Sequence, residues 1–138
     1  MATVLGQRLK RKEDPRLITG KGQYTDDVQL PGMVYAAILR SPHAHARILW
    51  VDASRARDMD GVLAVYTGAD LEGKLGTIPT AWLPPDSDIR MVPHSALAVH
   101  RVRYVGDGVA LVVASSRSIA EDALDLISLE YEVLPGTA

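Results

Sequence analysis

The run VALVVA, residues 109–114, constrains the fold more than any other stretch of the chain. It is continuous rather than periodic, and it lies between Gly108 and Ser115. A run this short falls well below what a membrane span or an independent helix needs. Its β-branched valines favour extended backbone, and a strand with no polar alternation must be covered on both faces. The expectation is a buried central strand with a layer of structure on either side.

Partners for that strand can be read nearby. VYAAILR (34–40), RILWVD (47–52) and VLAVYT (62–67) have strand character, and LEYEV (129–133) alternates apolar and acidic residues as a half-exposed strand does. ASRARDM (53–59) suits a short helix. A second helix is predicted to run to about Ser128: Ser118 and Glu121 have capping-box spacing, and Ile119, Ala120, Ala123, Leu124 and Ile127 share one helical stripe. VRYVGDG adds one or two short strands, with Gly106-Asp107-Gly108 read as a bulge or close approach. Residues 68–97 are rich in proline and read as a long irregular loop of the kind that makes contacts. The element order predicts an α+β domain with a mixed sheet and two short helices. Residues 1–22 are basic and aperiodic, an extended or loosely ordered arm; 23–135 form the folded domain and 136–138 a tail.

At 138 residues the chain suits one domain, and with no Phe its core must be built from Val, Leu, Ile and Ala. The absence of cysteine excludes disulfides, thiol catalysis and cysteine-held metal clusters from these residues. A net charge of −2 gives no general attraction to nucleic acid or anionic membrane. No apolar run is long enough to cross a bilayer, and MATVLGQRLKRKEDPRL lacks the apolar centre of a secretion signal. The expectation is a cytoplasmic protein with neither nucleic acid nor membrane as partner.

Several motifs invite chemistry and fall short of it. Gly68 to Lys74 matches G-x-x-x-x-G-K, but Leu75 stands where a phosphate loop needs Ser or Thr, and Asp70 and Glu72 bring negative charge to a would-be phosphate site. Gly20-Lys21-Gly22 begins a dinucleotide fingerprint and lacks its third glycine. The carboxylate pairs Asp26-Asp27, Glu121-Asp122 and Glu130 with Glu132 show no opposed environments for acid–base work. RSPHAHARI (40–48) is the most tempting stretch: in extended backbone His43 and His45 would share a face. A metal centre needs three or four ligands, and His94 and His100 have no ligand spacing to them. The preferred reading is a polar strand end that faces another protein surface, with Arg40, His43, His45 and Arg47 as contact residues. No catalytic, cofactor-binding or metal-binding residue is assigned.

Taken together, RKEDPRLITGKGQYTDDVQLPGMVYAAILRSPHAHARI, GVLAVYTGADL and VRYVGDGVALVVASS…AEDALDLISLEYEVLP resemble the N-terminal part of the large subunit of the molybdenum hydroxylases, the family of xanthine dehydrogenase, aldehyde oxidoreductase and aerobic carbon monoxide dehydrogenase. Gly108 is a departure, since the family commonly has proline there. The resemblance implies an α/β-hammerhead fold. It also implies a scaffold and interface role beside the domains that hold molybdopterin cytosine dinucleotide, with [2Fe–2S] and FAD subunits as further partners. None of the family's cofactor or catalytic motifs maps onto these residues. Two alternatives stay open: a stand-alone binding or assembly module that uses the 68–97 loop, and a small metal-binding enzyme that uses His43 and His45.

Overall fold

A computed structural model describes residues 6, 8–79, 88 and 92–136, and its chain divides into two compact units, Met1–Met33 and Val34–Ala138. In the first unit the described part of the basic arm contains a short helix. Helix α1 (Asp14–Ile18) starts with Pro15 in its first turn, where a missing N–H costs nothing. It stops at Gly20, whose φ of 70° is the left-handed conformation that glycine adopts freely. Bonds from Gly20 N to Leu17 O and from Lys21 N to Arg16 O close the end as a Schellman motif. Start and stop signals stand only a turn and a half apart, too close for a periodic pattern to register. A 3-10 turn follows at Thr25–Asp27, with the Asp27 carboxylate accepting from Tyr24 N at 2.9 Å.

The described residues of the second unit form six strands in two sheets. They are β1 (Tyr35–Arg40), β2 (Ala46–Asp52), β3 (Val62–Thr67), β4 (Arg101–Val102), β5 (Gly108–Ala114) and β6 (Ser128–Val133). One sheet has the order β1-β5-β3 and the other β4-β2-β6, and every pairing is antiparallel. The α+β class holds, but a mixed sheet was expected and two antiparallel ones are found. The reason lies in the connections: parallel neighbours need a crossover, and here β5 inserts between β1 and β3 and runs against both. The VALVVA strand takes the predicted central place, and the edge strand β1 alternates half-buried and exposed residues.

Three helices complete this unit: α2 (Ser54–Arg57), α3 (Gly68–Leu71) and α4 (Arg117–Leu124). Among the described residues there are thus four short helices, where two were expected. Helix α4 covers one face of the first sheet. Ala120, Ala123 and the following Ile127 pack with Ala110, Val112, Ala114 and Val65, and Ala53 and Ala56 join them. So many small side chains let the helical backbone approach the sheet closely, which is how a core without phenylalanine fills its volume. A second cluster, Ala46, Ala98, Val102 and Val109, packs with Ile48, Leu129 and Tyr131 of the other sheet. Val109 and Ala110 belong to different clusters because successive strand residues face opposite ways.

Two boundaries differ from expectation. Helix α4 is capped by Ser116, whose Oγ accepts from Ile119 N at 3.2 Å, two residues before the predicted Ser118. Its regular part ends at Leu124, and tighter i→i+3 bonds carry the chain to Ile127. The 68–97 segment starts as a helical turn rather than as loop, and residues 80–87 and 89–91 of it lie outside the described residues.

Candidate functional site

RSPHAHARI is not one strand. β1 ends at Arg40, β2 begins at Ala46, and the residues between them bend. Pro42 supplies no ladder N–H, so pairing cannot continue through it. Ser41 anchors the bend and is buried. Its N–H donates to Asp107 O and its carbonyl accepts from Gly106 N, both at 2.8 Å. Its hydroxyl accepts from His43 N at 3.0 Å and donates to His43 O at 3.1 Å, a local turn typical of serine. The Arg40 guanidinium reaches Gly106 O at 2.9 Å. The turn at residues 104–107 is thus laced to the bend, and Gly106 meets its need for a positive φ, at 94°. Asp107 is buried inside this lacing, where its carboxylate accepts from Arg103 N at 3.1 Å.

The two histidines serve different partners. His43 meets Tyr131 edge to face, with ring centroids 5.0 Å apart. The Tyr131 hydroxyl is buried without a partner. Burial pushes its phenol above the ordinary value; the nearby Ser41 hydroxyl pulls it partly back, and the Asp107 charge pushes it further. Ser41 Oγ makes no hydrogen bond of acceptable geometry to it, being engaged with His43. His45 Nδ1 lies 2.7 Å from Pro135 O, and a carbonyl can only accept, so Nδ1 carries the proton. Nε2 is left as an acceptor 3.5 Å from the Arg101 guanidinium. Arg47 is committed to Glu132 across the strand pair, at 2.6 Å.

Residues that the sequence reading passed over complete the surface. Arg101 and Arg103 flank the buried Val102, so their side chains emerge on one side. With His45, Tyr104 and Val105 they border an open cleft of about 480 Å³. Val105 is 66% exposed and Tyr104 46% exposed. The Arg-x-Arg spacing was visible in the sequence, but nothing there placed it beside His45.

The remaining candidates have structural partners. In the Gly68–Lys74 motif, Asp70 completes the capping box of α3 begun by Thr67: its carboxylate accepts from Thr67 N and Thr67 Oγ1, both at 2.8 Å, and pairs with Arg57 at 2.9 Å. Those bonds, backbone first, hold the Asp70 carboxyl below the usual range. A carboxylate thus sits where a phosphate loop would need an anion. His94 stacks on Tyr104, and His100 lies 3.3 Å from Glu72. Among the described residues no group of three or more His, Asp or Glu is placed to hold a metal, and no helix is long and apolar enough to cross a membrane.

Residues 19–135 match the sequence family described as aldehyde oxidase and xanthine dehydrogenase, a/b hammerhead domain. The chain is 45% identical over 131 residues to the nicotine 6-hydroxylase large subunit of Paenarthrobacter nicotinovorans, covering 95% of this chain and 16% of that one. Among solved structures, quinoline 2-oxidoreductase from Pseudomonas putida 86 superposes with a TM-score of 0.83 at 46% identity, over 92% of this chain and 16% of that one. A Cu,Mo-CO dehydrogenase superposes at 0.77 with 42% identity, over 94% and 16%. The chain thus spans only about a sixth of the length of these relatives.

Proposed function

The chain belongs to the aldehyde oxidase and xanthine dehydrogenase family, whose a/b hammerhead domain it carries, and from that premise we propose that it is the scaffold and interface portion of a molybdenum hydroxylase large subunit. In this reading it takes no part in the reaction by itself. The whole enzyme is an oxidoreductase acting on an aldehyde, an N-heterocycle or carbon monoxide. The observation that carries the reading is the family match over nearly the whole folded part, in relatives roughly six times longer.

The surface supports it. The face of the first sheet opposite α4 presents Ile38, Leu111 and Tyr66 in one row and Ala36, Val113 and Ala64 in the next. Ile38 and Tyr66 are 40% and 42% exposed, which is costly for apolar side chains left in water and is relieved when another domain covers them. Around the bend, Arg40, His43, His45 and Arg47 form the docking edge. Molybdopterin cytosine dinucleotide belongs to the adjoining large-subunit domains in this reading, and [2Fe–2S] and FAD to further subunits. The complex resides in the cytoplasm. Within the chain, residues 1–22 act as an arm, 23–135 as the hammerhead and 136–138 as a tail.

Native purification through a tag on this chain tests the proposal. Mass spectrometry of co-purifying chains is combined with molybdenum, iron and flavin assays on the same fraction. Molybdenum with large-subunit sequence supports it, whereas a lone, metal-free protein refutes it and leaves the stand-alone module.

A further inference from the structure

We propose that the cleft bordered by His45, Arg101, Arg103, Tyr104 and Val105 receives an acidic segment of polypeptide from the domain against which the hammerhead docks. The inference deepens the proposed function and rests on it. Sequence reading placed the contact on Arg40, His43, His45 and Arg47, but the structure shows most of that set engaged internally. Arg47 is paired with Glu132, the Arg40 guanidinium bonds Gly106 O, and the His43 ring lies against Tyr131. The cations still available stand one strand away.

Arg101 and Arg103 are exposed, and among the described residues no carboxylate lies within ion-pair distance of either side chain. Among the described residues no acidic side chain lines the cleft. His45 adds no competing carboxylate, and its Nε2 lies 3.5 Å from the Arg101 guanidinium at the rim. The floor is stiff. Val102 is buried between the arginines, and the 104–107 turn is held to Ser41 by backbone bonds through Gly106 N and Asp107 O. Two guanidinium groups on a fixed frame favour carboxylates, which they can grip in two-point contacts. The exposed Val105 and Tyr104 alongside require apolar atoms next to those charges, which a polypeptide supplies and a small inorganic anion does not.

The test uses the native complex captured through this chain. In the double variant Arg101→Lys, Arg103→Lys the positive charge is kept and primary amines are introduced that a zero-length carbodiimide couples to carboxylates. The expected result is amide cross-links from residue 101 or 103 to an Asp- or Glu-bearing peptide outside these 138 residues. The control Arg55→Lys, on α2, gives none to that peptide. In parallel, Arg101→Glu with Arg103→Glu is expected to lower partner retention about ten-fold, with Arg55→Glu unchanged. Cross-links confined to carboxylates of this chain, such as Glu72, Asp88 or Glu132, overturn the proposal. So does undiminished retention of the charge-reversed double variant, and both outcomes leave the docking role itself intact. A chain that purifies alone overturns both.

Discussion

Removing the Tyr131 hydroxyl by Tyr131→Phe is expected to leave the domain as stable or to stabilise it. The ring is part of the second apolar cluster and meets His43 edge to face, and the substitution keeps both contacts. What it deletes is a buried hydroxyl that makes no hydrogen bond. Leaving such a group unsatisfied costs about 1–3 kcal/mol, and part of that is recovered when the oxygen is removed. We expect a gain of about 1 kcal/mol, or ~3–5 °C in Tm for a domain of this size. Urea denaturation followed by tryptophan fluorescence measures it. A second readout is independent of the first. Because the folded-state phenol titrates above its ordinary value of 10.0, its contribution is fully present below pH 10.0 and is lost as pH rises through the folded value. The difference in stability between Tyr131→Phe and the parent should therefore widen on the alkaline side. A loss of more than ~1 kcal/mol at neutral pH would refute the reasoning, because it would mean that Tyr131 and Ser41 share a hydrogen bond in solution.

Gly68→Ala should destabilise by about 3 kcal/mol, because a Cβ there would lie 2.1 Å from Ala98 O and 2.9 Å from Val99 Cα, backbone atoms that cannot swing aside. Denaturation midpoints measure the loss, and a change below ~1 kcal/mol would show that the 96–99 segment yields. Ser116→Ala should cost about 1 kcal/mol through loss of the α4 cap, while Ser118→Ala stays within about 0.5 kcal/mol; the reverse ranking would restore the cap first read from the sequence. Asp70→Asn should flatten the acid limb of the stability curve. The depressed carboxyl contributes stability above its unfolded value of 3.8, and this is lost as pH falls through the lower folded value; an unchanged acid limb would contradict that assignment.

Strand positions were legible because their signal is local. VALVVA could only be a covered strand, and LEYEV alternates as a sheet surface must, whatever its partners. The capping signal near α4 was legible in kind but not in register, since Ser115, Ser116 and Ser118 all offer a hydroxyl and only the direction of chain entry selects among them. Helix α1 was missed because a helix of one and a half turns has no period to display.

The candidate site divides along the same line. By itself the sequence determined that RSPHAHARI breaks at Pro42, which needs only residue type, and its family blocks carried the resemblance that implied a hammerhead. The pairing of β5 with both β1 and β3, the lacing of Ser41 to Gly106 and Asp107, and the meeting of His45 with Arg101 were decided by the tertiary structure. Residues 45 and 101 are far apart along the chain, and their proximity follows from the antiparallel register of β2 with β4, in which Ala46 faces Val102. Such a register is set by which faces can be buried together, a property of the packed sheets that no single segment carries.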